Sequence, residues 1–117
     1  ITTGNTCVVI ASEPYPLTAI TLAEVMATSD LPGGVVNILT GPQAEVGPWL
    51  ASHLDVQGMD LTGVTDPALA KELEEAAADN LKRVRRPNPA EDLLATPALN
   101  RMTTFVETKT VWHPMGL

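Results

Sequence analysis

The side chains best suited to nucleophilic or metal chemistry are few, and they stand apart in the sequence. Cys7 is the single cysteine, so an internal disulfide is excluded. It lies in the apolar run TCVVI (6–10), where a cysteine is typically buried and unreactive. His53 and His113 lie far apart, and neither belongs to a cluster with metal-ligand spacing. The sequence therefore predicts no metal site and favours an inert thiol over a nucleophile.

The charge is distributed unevenly along the 117 residues. The net charge is −7, yet residues 1–70 contain acidic side chains and no Lys or Arg, while the acids and bases of the remainder balance. An acidic domain repels nucleic acid and anionic membrane surfaces, so neither is expected as a partner. No apolar run is long enough to span a membrane and no signal peptide is visible, so we expect a cytoplasmic protein.

Cations are concentrated in one short segment, Lys82–Arg86. Aromatic residues make up only 3% of the chain, so no base-stacking surface accompanies this segment. We interpret it as a solvated helix end, where cations complement the helix dipole.

Short apolar runs alternate with longer amphipathic ones up to Leu81, and turn residues separate them. Strands are predicted at 6–10, 35–39 and 56–61. Helices are predicted at 16–28 and at 68–81, the latter capped by Asp66, and the segment 40–53 is predicted to open with a turn and continue as a short helix up to His53. The first two strands are apolar enough to be covered on both faces. This β-α-β-α-β-α order predicts an α/β fold with a parallel sheet, equivalent to half of a Rossmann-like doubly wound domain over residues 1–84.

The pattern changes after residue 84. Residues 85–104 contain Pro87, Pro89 and Pro97 among polar residues and are predicted to form an extended linker. The run TFVETKTVW (104–112) alternates in polarity, which predicts a strand within an assembly segment and tail at 105–117. Because an isolated strand is unstable in water, this strand must join the edge of its own sheet or that of a neighbouring subunit.

Several ordered motifs resemble one family. Residues 3–41 (TGNTCVVIASEPYPLTAITLAEVMATSDLPGGVVNILTG), 51–66 (ASHLDVQGMDLTGVTD) and 80–84 (NLKRV) resemble the coenzyme-binding domain of the aldehyde dehydrogenase superfamily. The closing ETKTVWHPMG (107–116) is similar to the family's C-terminal oligomerisation strand. The first residue is Ile1 rather than Met, so we expect the sequence to be trimmed from a longer one.

The resemblance implies that the catalytic domain is missing. In the family, the segment similar to NLKRV continues into a motif with a general-base glutamate, followed by the domain of the nucleophilic cysteine. Here Pro87 stands in the place of that glutamate, and Cys7 aligns with a strand position. Aldehyde oxidation needs a thiolate, oxyanion donors and a base, so the chain alone is not expected to catalyse it, and no catalytic residue is assigned.

The resemblance also implies a partial coenzyme site. The family's Lys-Pro-Ser-Glu motif reads IASE (10–13), so Glu13 remains to bind ribose hydroxyls while the lysine is absent. The phosphate turn, usually Thr-Gly-Ser-Thr, reads Thr62, Gly63, Val64 and Thr65, and Gly47 matches a glycine of the adenine site. Acidic surroundings without cations oppose a pyrophosphate, so we expect NAD binding to be weak or lost, and NADP binding weaker still.

Two tryptophans have competing interpretations. Trp49 is expected to pack against the sheet rather than to flank an adenine. Trp112 is the better interface candidate, because tryptophan is enriched in interface hot spots and a lone strand needs an external partner.

Two hypotheses about function follow. The first is a non-catalytic aldehyde-dehydrogenase-like chain or fragment that forms a homo-oligomer, or binds a full-length relative, through its Thr104–Trp112 strand. The alternative is part of an NAD(P)-dependent aldehyde dehydrogenase whose catalytic residues lie outside this sequence. A free nucleotide-binding sensor is disfavoured by Ile10, Val64 and Ala68 at positions that the family's motifs fill differently.

Overall fold

The computed structural model describes residues 1–114, and its elements follow the predicted alternation up to residue 78. The elements are β1 (Cys7–Ile10), α1 (Leu17–Ala27), β2 (Val36–Leu39), α2 (Gln43–Ser52), β3 (Gly58–Asp60), α3 (Pro67–Ala78), β4 (Arg83–Arg85) and α4 (Leu99–Thr103). The three predicted strands and three predicted helices are confirmed, with ends that lie within three residues of the predicted ones. Strand β4 and helix α4 were not predicted.

The strands pair in parallel, as the alternation of strands and helices predicts. Strand β1 pairs with β2, with Cys7 opposite Val36, and β3 pairs with β4, with Asp60 opposite Arg85. Within residues 1–114, each pair forms a separate two-stranded sheet. The fold class is therefore mixed α/β with short parallel sheets, and a single Rossmann-like doubly wound sheet is not confirmed.

The segment from β1 to β2, here called the N-terminal unit (residues 6–40), has little interior. Helix α1 contains no buried residue, although it is largely apolar. Both central valines of β1, Val8 and Val9, are exposed, so the prediction that this strand is covered on both faces is wrong. The physical reason is that a two-stranded sheet with one exposed helix leaves most of its faces to solvent.

Residues 43–86, here called the core unit, contain the described hydrophobic core. Ala51 of α2, Leu61 after β3 and Leu73 of α3 form a buried cluster, and partly buried apolar side chains surround it: Met59, Val64, Leu69, Ala76 and Val84. Helix α3 begins as predicted, because the Asp66 side chain accepts a hydrogen bond from the Ala68 N–H and Pro67 occupies the first turn. Its apolar residues recur with helical period and face α2.

Helix α3 ends in a backbone capping motif that was not predicted from the sequence. The Lys82 N–H donates to the Ala77 carbonyl and the Leu81 N–H to the Ala78 carbonyl, which is the hydrogen-bond pattern of a Schellman turn. Leu81 carries the left-handed conformation of this motif, with φ 57°, at a position where glycine is usual. The turn directs the chain back into β4.

Lys82 corrects the interpretation of the basic segment as a solvated helix end. The lysine is buried, and its Nζ donates to the His53 carbonyl (2.6 Å), the Val56 carbonyl (2.8 Å) and Asn80 Oδ1 (2.7 Å). Three oxygen acceptors use the three donors of an ammonium group, which allows the cation to be buried. Lys82 therefore ties the loop before β3 to the end of α3.

The predicted linker at 85–104 is more structured than expected. It contains turns after Pro89 and the short helix α4. Phe105 then lies against β3, since a Cβ added to Gly58 would meet its ring at 2.5 Å, and the Val106 carbonyl accepts a hydrogen bond from Arg83 Nη1 at 2.5 Å. The segment thus returns to the sheet of the core unit through side chains.

The predicted strand at 104–112 does not form in the single chain. Residues 106–114 have no regular secondary structure, so the segment does not extend a sheet of its own chain. A strand needs an edge to supply its hydrogen bonds, and within the described residues this segment has not taken one. Residues 115–117 of the predicted tail lie outside the described residues.

Candidate functional site

Glu13 follows β1 and lies at the start of α2. Its Oε1 accepts a hydrogen bond from the backbone N–H of Gln43, the first residue of that helix. A carboxylate at a helix N-terminus is stabilised by the helix dipole and by the unpaired amides there. Glu13 therefore has a structural role at α2, and its side chain remains exposed to solvent.

The same helix start connects Glu13 to the predicted phosphate turn. Gln43 Nε2 donates to the Gly63 carbonyl at 3.5 Å, so Gln43 contacts both predicted site regions. A cavity of about 250 Å³ adjoins Glu13 and is lined by Ser12, Glu13, Pro16, Thr40, Gly41 and Pro42. The structure thus brings Glu13 and Gly63 to one side of the molecule, at the carboxyl ends of β1 and β3.

Thr62 is already engaged by charged neighbours. Its backbone N–H donates to Asp60 Oδ1 at 2.9 Å, its hydroxyl donates to the same oxygen, and Arg85 Nη1 donates to the hydroxyl at 2.7 Å. Arg85 Nη1 also pairs with Asp60 Oδ2 at 3.0 Å. The hydroxyl of the predicted phosphate turn is therefore held in a network of side chains from β3 and β4.

This network shifts the titration of its two charged members. Burial raises the pKa of Asp60, but the hydrogen bonds from Thr62 and the nearby Arg85 outweigh burial, so that its pKa lies below the ordinary value of 3.8. The pKa of Arg85 is raised by its hydrogen bonds to Asp60 and Glu91. Both groups are charged at neutral pH, so the network is an ion pair.

Gly47 and Val64 occupy packing positions. Gly47 is buried in α2, where an added Cβ would lie 3.1 Å from Leu73 Cδ2, so the absence of a side chain lets α2 and α3 approach closely. Val64 packs against the core cluster. Gly63 differs from Gly47, because an added Cβ there would meet nothing within 4 Å. The adenine-site role of Gly47 and the phosphate-turn role of Val64 remain predictions.

The start of α3 offers less to an anion than a bare helix N-terminus would. Asp66 takes the Ala68 N–H at 2.9 Å and places a negative charge at the favourable end of the dipole. An incoming phosphate would compete with this carboxylate for the same amides. The residues present thus fit a dinucleotide only in part: an acceptor for ribose and an open turn remain, while Thr62 and Ala68 have internal partners.

The isolated reactive side chains stay isolated. Cys7 is half-buried in β1 rather than fully buried, and its partner in the register is Val36. His53 ends α2, where Nδ1 accepts from the Asp55 N–H at 3.2 Å.

Trp49 is exposed, so the expectation that it packs against the sheet is wrong. Among residues 1–114, no group of three or more His, Cys, Asp or Glu side chains is arranged to hold a metal, and no helix is long and apolar enough to cross a membrane.

Comparison with known proteins identifies the family. The aldehyde dehydrogenase family model matches residues 1–86, which include both sheets and the whole core unit. The chain belongs to the aldehyde dehydrogenase family. The match ends at Arg86, just after NLKRV (80–84), the last motif that resembles the coenzyme-binding domain, and it does not include the resemblance at 107–116.

Two curated members of the aldehyde dehydrogenase family illustrate the extent of the match. The chain is 43% identical over 82 residues to "Aldehyde dehydrogenase, cytosolic 1" from Elephantulus edwardii, and equally to the protein of that name from Macroscelides proboscideus. The aligned region is 69% of this chain and 16% of each relative, so the chain spans about a sixth of their length. No solved structure matches the chain.

Sequence reasoning missed three residues of this region. Gln43, which joins Glu13 to the turn, belongs to no motif that would single it out. Arg85 and Glu91 form an ion pair with Nη2–Oε1 at 2.6 Å. The unusual density of cations at Lys82–Arg86 was a usable signal, because arginines beside a strand require carboxylates nearby when they are half-buried.

Proposed function

We propose that this chain is a non-catalytic aldehyde-dehydrogenase-like polypeptide that acts by assembly, with a second copy of itself or with a full-length relative. The observation that carries this proposal is the exposed apolar surface of α1. Leu17 is 75% exposed, Leu22 54% and Val25 58%. Large apolar patches are uncommon on monomers and mark interaction surfaces, and their burial would stabilise a complex by about 25 cal/mol per Å².

The C-terminal segment supports the same proposal. Val111 and Trp112 are exposed, and residues 106–114 do not pair with a sheet of their own chain. An extended segment of alternating polarity can add to a sheet edge of another chain, where backbone hydrogen bonds give affinity and alternate side chains give specificity. Trp112 would then provide a hot-spot contact.

Light scattering after size exclusion tests the assembly. We expect a defined oligomer at micromolar concentration, and loss of that oligomer in Leu22→Asp or Trp112→Ser. Glu107→Gln, which keeps the apolar side chains of both regions, is the matched control. A monomer at every concentration, with no complex on mixing with purified full-length cytosolic aldehyde dehydrogenase, would contradict the proposal.

The second candidate is that the chain forms part of an NAD(P)-dependent aldehyde dehydrogenase. Two observations support it: Gln43 is hydrogen-bonded to both Glu13 and Gly63, and Glu13 lines a cavity of about 250 Å³. Glu13 would bind ribose hydroxyls and the open turn at Gly63 would admit a phosphate, while the nucleophile and base would come from other residues. The coenzyme supplies the hydride acceptor when bound. The two relatives are named as cytosolic enzymes, which favours the cytosol as the place of action.

Thermal unfolding with millimolar NAD separates the two candidates. Ligand at about 100 times its dissociation constant would stabilise the fold by roughly 2.7 kcal/mol, which is an easily measured shift. We expect little or no shift, since Thr62 and Ala68 have internal partners. A clear shift that Glu13→Gln abolishes and Glu45→Gln preserves would favour the coenzyme-binding candidate instead.

A further inference from the structure

The residues after β4, here called the strap (87–104), are fastened to the core unit by one carboxylate. Glu91 accepts hydrogen bonds from Arg85 Nη2 through both of its oxygens, with Nη2–Oε1 at 2.6 Å. Arg101 Nε, from α4 of the strap, pairs with the same Oε1 at 3.1 Å. The Arg85 and Glu91 side chains are each 20% exposed, so this contact is shielded but reachable from solvent.

The position of the contact is the edge at which parallel sheets bind ligands. Arg85 is the last residue of β4, and Thr62 follows the end of its neighbour β3. In open α/β folds, ligands bind outside the carboxyl ends of the parallel strands. The guanidinium is held there by Asp60 and the Thr62 hydroxyl, which leaves Nη2 directed at Glu91.

From this geometry we propose that Arg85, held in place by Asp60 and the Thr62 hydroxyl, binds a small oxyanion and that Glu91 occupies this site as an internal ligand, so that the strap is a displaceable cover. A guanidinium recognises carboxylate and phosphate oxygens through the same hydrogen bonds. The charges of the cluster fit this exchange. The two cations, Arg85 and Arg101, are balanced by the two anions, Asp60 and Glu91, so a monoanion that takes the place of Glu91 leaves the net charge of the cluster at zero.

The surroundings of Glu91 allow such an exchange. A cavity of about 210 Å³ borders the carboxylate on the strap side and is lined by Glu91, Asp92, Ala95, Thr96, Pro97, Ala98, Asn100 and Arg101. The strap has no residue in the buried core cluster, so its release exposes little apolar surface. The site uses neither α1 nor residues 106–114, so it is independent of the assembly proposal, and it shares only Thr62, which holds Arg85 in place, with the predicted phosphate turn.

The test is a titration of the ¹⁵N-labelled full chain with acetate and, separately, with inorganic phosphate at constant ionic strength, followed by NMR. We expect Glu91→Ala to show saturable shifts of the Thr62 amide at a concentration at least tenfold lower than the wild type. In the wild type, the amides of Asn100 and Arg101 should shift together with Thr62, because the incoming anion expels Glu91. Glu72→Gln, an exposed carboxylate on α3, is the charge-matched control and should titrate as the wild type does.

Further variants make the result decisive. Glu91→Gln keeps the side-chain shape without the charge and should bind anions more tightly than the wild type, which guards against a folding defect in Glu91→Ala. Arg85→Gln combined with Glu91→Ala should abolish saturable binding. Acetate alone as a ligand would assign a carboxylate site, and phosphate, with or without acetate, would assign a phosphate site. Identical titrations of the wild type and both Glu91 variants, or saturable binding by the double variant, would overturn the proposal.

Discussion

The N-terminal unit and the core unit are built from the same local pattern but are stabilised very differently. Each has a parallel strand pair joined by a crossover helix. In the core unit, α3 packs on α2 and encloses Leu61 and Leu73. In the N-terminal unit, α1 has no buried residue. The buried apolar side chain of this unit is Ala11, which follows β1. A strand-helix-strand sequence therefore specifies local structure, while burial depends on a second helix to complete the layer.

Helix α1 lacks the packing that stabilises α2. Most helical stability in proteins comes from packing an apolar face rather than from intrinsic propensity. Helix α2 packs against α3 and has buried residues, whereas α1 has none. The assembly proposal supplies the missing partner from another polypeptide.

The largest expected effect comes from truncating the core. Leu73 is 2% exposed, so Leu73→Ala removes buried methyl groups and leaves a cavity, which should reduce the free energy of unfolding by about 2–5 kcal/mol. Leu22→Ala on the exposed α1 should change it by less than about 0.5 kcal/mol. Urea unfolding monitored by circular dichroism measures both. Equal losses in the two variants would mean that α1 is covered, and would break the comparison.

Lys82 gives the next largest effect. Lys82→Met keeps the aliphatic stem but leaves the carbonyls of His53 and Val56 without their donor, which should cost about 2–3 kcal/mol. Lys71→Met is the control, because Lys71 and Glu75 form an exposed pair of a kind worth about 0.2–1 kcal/mol. The same urea transitions report both changes. A loss no larger than that of the control would show that water replaces the ammonium group at little cost.

The part of the fold that the sequence predicts is the part set by local chemistry. Asp66 and Pro67 predict the start of α3, and the β-branched runs at 6–10 and 35–39 predict β1 and β2. The sequence also carries the family resemblance, which the family match over residues 1–86 confirms. These signals act over a few residues or through ordered motifs, so they can be read without coordinates.

The rest depends on contacts between distant residues. Lys82 can be buried because its ammonium group donates hydrogen bonds to the carbonyls of His53 and Val56, which lie 29 and 26 residues earlier in the sequence. Strand β4 has only three residues and two arginines, so its sequence resembles a solvated segment until Asp60 and Glu91 are placed beside Arg85. For the same reason, Gly47 reads as a motif residue in the sequence and as a helix-packing residue in the fold. Nothing local distinguishes these alternatives.

Gly47 and Gly63 of the core unit differ in packing: Gly47 lies against Leu73, whereas Gly63 has open space beside it. Gly47→Ala would gain about 1 kcal/mol of helix propensity but forces Leu73 to shift, and overpacking costs about 1–3 kcal/mol, so a net loss of about 1 kcal/mol is expected. Gly63→Ala has open space and should change stability by less than about 0.5 kcal/mol. Urea midpoints check both. Stabilisation by Gly47→Ala would show that Leu73 moves freely and that the packing is looser than the contact implies.

The smallest expected effect concerns Asp60 and is visible through pH. Because its pKa is lowered below 3.8 in the folded chain, Asp60 contributes stability that is complete well above 3.8 and is lost as the pH falls below that value toward the folded pKa. Asp60→Asn keeps an oxygen acceptor for Thr62 but loses the charge facing Arg85. The side chain is 44% exposed, so the loss at neutral pH should stay within about 0.2–1 kcal/mol.

Unfolding of the wild type and Asp60→Asn from neutral pH down to about pH 2 measures this difference, since the pKa of Asp60 is lowered from its ordinary value of 3.8. The gap between the two proteins should close as the acid limit is approached. Asp30→Asn, in the N-terminal unit, removes the same charge and is the charge-matched control. A gap that persists unchanged at low pH would mean that the charge of Asp60 does not contribute to stability. The electrostatic difference between the two units would then rest on Arg85 and Glu91.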